Sequence, residues 1–264
     1  MHTVKVEYPE TWEEATVYTL ADLHIGDKHC DTELVGKRIR EIEDDPHGLV
    51  VLNGDLMNTA VRTSVSDVYA EVMSPMQQIA TLVDMLTPVK DKIIGVTCGN
   101  HENRVYRNDG VDIMRIVCRE LGIEDRYDPC GVLIFLRFGS KKNHHGDTNP
   151  QTYSIYATHG SGGGRKEGAK AIRLADMATI VDADIFLHSH THLPMVMMQS
   201  FYRVNIGNCS TTKVDRLFVN TGATLEYGGY GQAQEFKPAS VANPRVKLKA
   251  KYKKMNAVIG SEKE

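Results

Sequence analysis

Four short apolar or β-branched runs, Thr16–Leu20, Leu49–Leu52, Ile93–Thr97 and Ile185–Leu187, each break off in a cluster of polar residues. Runs of this length, bounded by polar residues, are the pattern of strands buried on both faces. Between the first three lie two stretches whose apolar residues recur at helical spacing. Thr32–Glu43 carries Leu34, Val35, Ile39 and Ile42; Val65–Leu86 carries Val65, Val68, Val72, Ile79, Leu82, Val83 and Leu86. Strand, helix, strand, helix, strand is the sequence form of right-handed crossovers over a mostly parallel sheet. Pro75 should kink or split the second helix, and a further helix is expected over about Val111–Leu121.

The second half reads differently. "GVLIFLRFG" and "TYSIYATHG" flank a polar insert, and "FYRVNIGN" and "RLFVNTGATLEY" follow the fourth run, all with the look of antiparallel strands. A helix over roughly Gly168–Ile180 interrupts them. With no internal repeat, the two halves are expected to share a core as two facing mixed β-sheets flanked by helices, an α/β sandwich of four layers. One main domain is drawn over residues 1–242. Residues 243–264 are set apart as a basic C-terminal strand or tail, because "RVKLKAKYKK" alternates apolar and basic residues as an exposed edge strand does.

Composition limits the function classes. From Lys237 onward there are eight Lys and Arg against two Asp and Glu, which leaves the rest of the chain at −9 within a net charge of −3. An acidic body argues against a general nucleic-acid coat. The five cysteines are scattered and form no CxxC pair, so neither a disulfide framework nor a cysteine zinc site is indicated. The acidic N-terminal stretch is unlike a signal peptide, and no window approaches a membrane span, so the expectation is a cytoplasmic protein.

The polar clusters carry the chemistry. The first run ends in "ADLHIGD", with Asp22 and His24; the second in "NGDLMN", with Asp55 and Asn58; the third in "CGNHEN", with Asn100 and His101. Strand carboxyl ends line the site crevice of open α/β sheets, so residues distant in sequence should converge there. His159 of "ATHG" and His190 and His192 of "HSHTH" enlarge the set to oxygen and nitrogen donors sufficient for two metals. A carboxylate such as Asp55 can bridge divalent cations roughly 3.5–4 Å apart, and a water between them becomes hydroxide near neutral pH. The expected reaction is hydrolysis of a phosphate ester. Mn²⁺ is the favoured cation, although Fe, Ni, Zn and Co accept the same donors.

"DLH", "GDLMN", "GNHE", the isolated "TH" at His159 and the terminal "SHTH" occur in the order D-x-H, GD-x-x-D/N, GNH-D/E, H, GH-x-H. In this the chain resembles the calcineurin-like metallophosphoesterase superfamily. The resemblance spans Thr16 to about Thr224. It implies one metal on Asp22, His24, Asp55 and His192 and another on Asp55, Asn100, His159 and His190, with His101 unligated beside the leaving group. "ADLHIGDKH" and "GNHENR" look more like the nuclease and phage-type phosphodiesterase members than the protein Ser/Thr phosphatases, which implies a phosphodiester substrate, DNA or a nucleotide. Three positions depart from the pattern. Ser189 replaces a glycine, which suits only a backbone without positive φ; Asn58 stands where many members carry Asp; and His188 is an additional histidine to which the pattern gives no role.

Taken singly, each of these residues has an ordinary alternative as a turn polar or a satisfied core histidine. Two other functions stay open: a small-molecule phosphomonoesterase, and a catalytically inactive accessory or binding subunit. "GSGGGRK" precedes a helix, and Arg165 and Lys166, with Asn58, are candidate substrate contacts, although a flexible connector reads equally well. "YGGYGQ", with Tyr227 and Tyr230, reads as a glycine-rich loop more than a base-stacking platform, and His144 and His145 as loop residues. The basic tail is a solvated edge or a contact for a nucleic-acid backbone.

Overall fold

The computed structural model of the chain describes residues 1–62, 64, 68–139, 150–162, 164–228, 232, 235, 237–238 and 240–260. Val65, His144, His145 and Tyr230 lie outside these residues.

Two mixed sheets face each other, with helices on their outer sides. The five-stranded sheet has the order β11-β10-β2-β3-β4, formed by β2 (Glu14–Leu20), β3 (Gly48–Asn53), β4 (Ile93–Thr97), β10 (Asn243–Lys249) and β11 (Met255–Gly260). The six-stranded sheet runs β1-β5-β6-β7-β9-β8, from β1 (His2–Tyr8), β5 (Val132–Phe138), β6 (Gln151–Ala157), β7 (Ile185–His188), β8 (Met195–Asn205) and β9 (Ser210–Asn220). Among the described residues the α-helices are α1 (Thr32–Asp44), α2 (Pro75–Leu86), α3 (Asn100–Asp109), α4 (Ile113–Leu121) and α5 (Glu167–Asp176). No helix among them is long and apolar enough to cross a membrane.

The period of two in a strand distributes the core. On β3, Leu49 and Val51 enter the space between the sheets, where they meet Ile134, Ile155 and Leu187. Val50 and Leu52 turn the other way, against Ile39, Ile42, Leu82 and Val117 of the helices. On the outer face of the six-stranded sheet, Tyr156, Phe186 and Phe218 pack against Leu174 of α5 and Met177. The layers are therefore helix, sheet, sheet, helix, as the periodicity suggests. Strands β2, β3 and β4 are parallel to one another. In the second half the pairs β5–β6 and β8–β9 are antiparallel, as expected, while β7 joins them by parallel pairing with β6 and β9.

One local expectation holds and one changes. The second helical stretch is split at Pro75: a 3-10 turn at Val68–Ala70 precedes it, and Pro75 is the first residue of α2, where no N–H is needed, behind a capping box of Ser74 and Gln77. The basic C-terminal strand is not an edge. β10 lies between β2 and β11, with Val246 and Leu248 buried in the inter-sheet core and Lys247 exposed. The Tyr153 hydroxyl ties the following turn to the opposite sheet, donating to the Lys249 carbonyl at 2.7 Å and accepting from the Lys254 amide at 2.8 Å.

Candidate metal centre

Parallel strands end at the same side of a sheet, and the turns that leave β2, β3, β4, β6 and β7 meet there. Backbone bonds stitch the first two together: Asp22 N donates to Gly54 O at 3.1 Å, His24 N to Asp55 O at 3.1 Å and Ile25 N to Leu56 O at 3.0 Å. At the third, Gly99 caps α3 and brings Asn100 and His101 to its first turn. A Cβ on Gly99 would fall 2.1 Å from Asp55 Oδ1, so the approach requires glycine. Asp22, His24, Asp55, His190 and His192 all have φ between 51° and 66°. For residues with a side chain this left-handed region costs about 1–2 kcal/mol each, and such strain clusters at functional sites. Ser189 is not among the positive-φ residues, which accounts for a serine at that position.

The side chains of these turns come together. One ligand atom from each residue lies within 4.8 Å of the others in three overlapping sets: Asp22, His24 and His192; His24, Asp55 and His101; and Asp55, His159 and His190. His192 Nε2 is 3.3 Å from Asp22 Oδ1 and 3.4 Å from His24 Nε2. His159 Nε2 is 3.1 Å from Asp55 Oδ2 and 3.3 Å from the side-chain oxygen of Asn100. Its Nδ1–H donates to Asn53 O at 2.8 Å, which fixes the tautomer and aims Nε2 at the cluster. His101 stands edge-on to His24, with ring centroids 4.4 Å apart, and its Nε2 is 3.9 Å from Asp55 Oδ2.

The electrostatics favour cation binding. Burial holds the His24 imidazole well below its usual range and pushes His190 down to about 4, so both present lone pairs at neutral pH. Burial also disfavours a charged His159, but the Asp55 carboxylate outweighs it and holds that imidazole up at about 10. Burial opposes ionisation of Asp55, and His159 beside it nevertheless keeps the carboxyl well below its ordinary range. A cation held by this pair would have to displace the His159 proton. Asp22 is fully buried, and its Oδ1 finds no hydrogen-bond partner among the described residues. Carboxylates, imidazoles and an amide oxygen are a donor set that divalent transition metals accept, so the residues fit such ions.

The other sequence candidates lie around this cluster. Asn58 is buried; its amide donates to Glu71 and, at 3.3 Å, to Asp27, and its carbonyl accepts His101 Nδ1 at 3.0 Å. Lys166 is the N-cap residue of α5, and both it and Arg165 are exposed. Tyr227 is half exposed. Sequence reasoning missed several supports. Buried Glu102 accepts four backbone N–H groups, from Asp55 at 3.0 Å, Gly99 at 2.9 Å, Leu56 at 2.6 Å and Met57 at 3.0 Å. Burial, with Asp55 nearby, pushes its carboxyl up to about 7. Its place three residues after Gly99 is the capping-box position, a signal that was legible. Lys170 donates to Thr191 O at 2.8 Å, between two histidines of the cluster, and Asn220 holds the same loop.

Neither a protein-family model nor a curated protein matches the chain. Solved structures do. A conserved uncharacterized protein of Streptococcus pneumoniae TIGR4, described as a predicted phosphoesterase, is 16% identical over 94% of this chain and 91% of its own, with a TM-score of 0.39. Zinc-complexed wild-type Vps29 of Entamoeba histolytica is 11% identical over 92% of this chain and 98% of its own, with a TM-score of 0.40. In the order of its motifs and in its two facing mixed sheets, the chain resembles the calcineurin-like metallophosphoesterase superfamily.

Proposed function

We propose that the chain is a metal-dependent phosphoesterase that uses two divalent cations, Mn²⁺ first among them, to hydrolyse phosphodiester bonds of DNA or nucleotides. The observation that carries this reading is the shared place of Asp55. It offers a donor atom within 4.8 Å of those of His159 and His190 on one side and of His24 and His101 on the other. Asp22, His24, Asp55 and His192 would hold one cation; Asp55, Asn100, His159 and His190 the other. Bound there, two cations would supply the acidity for a water nucleophile and the charge to offset a phosphoryl group under attack.

The chain's own residues supply the rest. His101 Nδ1–H is committed to the Asn58 carbonyl, so Nε2 carries a proton only in the imidazolium form. In that form it can hand a proton to the departing alkoxide or hold the charge on a phosphoryl oxygen. The Thr59 hydroxyl, donating to the His101 carbonyl at 2.7 Å, keeps the first turn of α3 in place for this. Arg165 and Lys166 add positive charge ahead of α5. Replacing both with Gln should raise KM with little loss of bound metal, the signature of a binding charge.

The test is a product assay with Mn²⁺ across single-stranded DNA, double-stranded DNA, cyclic nucleotides, bis(p-nitrophenyl) phosphate and p-nitrophenyl phosphate. Turnover of a diester is expected. Turnover of the monoester alone would make the protein a phosphomonoesterase, and Mn²⁺-dependent turnover of none would leave an inactive binding subunit.

A further inference from the structure

His188 has no role in the family pattern, yet its side chain is buried between the two histidine-bearing turns of the centre. Its Nδ1 is 2.7 Å from Asn220 Oδ1. An amide oxygen only accepts, so Nδ1 carries the hydrogen and the Asn220 amide is oriented by it. The Asn220 nitrogen then faces the loop after β7, donating to Thr191 Oγ1 at 2.8 Å and Leu193 O at 2.6 Å. Those two acceptors flank His192. On its other side the His188 ring abuts Gly160, the residue after His159, where φ is +94° and a Cβ would fall 2.1 Å from Nε2. One imidazole thus touches the turn that follows His159 and, through Asn220, the loop that carries His190 and His192. Both of those histidines are left-handed, a conformation that persists only where the surroundings over-determine it.

We propose that His188 is a positioning residue of the metal centre. With Asn220 it fixes the loop of His190 and His192 against the turn after His159, so that imidazoles from two strands keep their metal-binding geometry. This rests on the metal-centre reading above. Lys170, reaching Thr191 O from α5, holds the same loop from outside and leaves the inner contact to Asn220.

Three variants of the full chain test it, each titrated with Mn²⁺ by calorimetry and by the electron-spin resonance of bound Mn²⁺, with thermal melting of the metal-free protein in parallel. His188→Phe keeps the ring and removes its nitrogens. His188→Asn keeps an N–H where Nδ1 was. Asn220→Asp removes both donors to the loop. His188→Phe and Asn220→Asp should weaken Mn²⁺ binding by about 10–100-fold, the usual effect of losing a group that orients a ligand, and His188→Asn should bind close to wild type. A role in stability alone would lower the melting temperature and leave Mn²⁺ affinity unchanged, which overturns the proposal. Equal losses in His188→Phe and His188→Asn would also overturn it. Should His188→Phe fail to fold, Asn220→Asp against His188→Asn gives the same comparison. A wild-type chain that binds no Mn²⁺ would instead overturn the metal-centre reading, and this proposal with it.

Discussion

The two ends of the sandwich handle charge in opposite ways. At the carboxyl ends of β2, β3, β6 and β7, acids and imidazoles are buried on strained backbone, and Asp22 Oδ1 has no hydrogen bond among the described residues. At the other end of β2, exposed or half-exposed lysines of β10 and of the turn after it meet acceptors of their own. Lys249 lies 2.7 Å from Glu14, Lys253 lies 2.8 Å from Asp184, and Lys251 donates to the Glu10 carbonyl. Nearer the middle, Arg245 reaches Glu41 of α1 at 2.7 Å. Charges that answer one another at a surface close the fold and are weakened by solvent. Charges buried together on strained backbone work against it, which marks an arrangement made for a ligand. Both regions stand out in the sequence as concentrations of charge, and only the partners of each residue tell them apart.

The strongest way to break this contrast is at its most shared residue. Asp55→Asn should remove most bound Mn²⁺ and bring activity to background, because one charge serves both halves of the cluster; metal analysis and turnover of the same sample check it. Two cations per chain with normal turnover would sink the assignment. His101→Ala should act on chemistry alone, keeping both cations and losing about 10²–10⁴ in kcat. If His101 is the acid, that loss is severe for esters with a poor alkoxide leaving group and slight for nitrophenyl esters. Equal loss for both would assign it to charge stabilisation, and no loss with metals intact would remove it from the mechanism. His24→Ala should be milder, weakening one cation by about 10–100-fold while the site at His159 still fills, as two-site Mn²⁺ titration would resolve.

Much of the architecture was legible because burial leaves a periodic trace. The runs that became β2, β3, β4 and β7 are apolar on consecutive positions, as strands covered on both faces must be. α3 left no such trace: in "NHENRVYRND" only Glu102 and Val105 are buried, and the helix exists to present polar groups. β1 carried a signal that went unread, since Val4, Val6 and Tyr8 alternate along "HTVKVEY". The candidate ligand set was readable as residue types at strand ends. The left-handed backbone beneath it was not, because Asp and His, although enriched at positive φ, adopt it at only a small share of their positions. Nor were the groups that orient it: Asn220 sits 28 or more residues from the loop's own histidines in sequence, and nothing local ties the two.

The smallest expected effect lies at the basic end, where sequence reading left open a contact with a nucleic-acid backbone. β10 runs antiparallel to β2, with Val246 opposite Val17 and Lys249 opposite Glu14, so Asn243 sits at the site end and the lysines beyond residue 249 at the far end. Deleting the tail would remove Val246 and Leu248 from the core and unfold what it is meant to test. Replacing Lys251, Lys253 and Lys254 with Gln removes charge and leaves the strands. On DNA these variants should keep KM, kcat and the salt dependence of binding, and melt slightly lower through the lost pairs with Asp184 and the Glu10 carbonyl. A nucleic acid following this surface would instead give up counterions at each lysine. The slope of log affinity against log salt would then become shallower by about 0.9 for every lysine removed, and that result would extend the substrate path across the whole height of the sandwich.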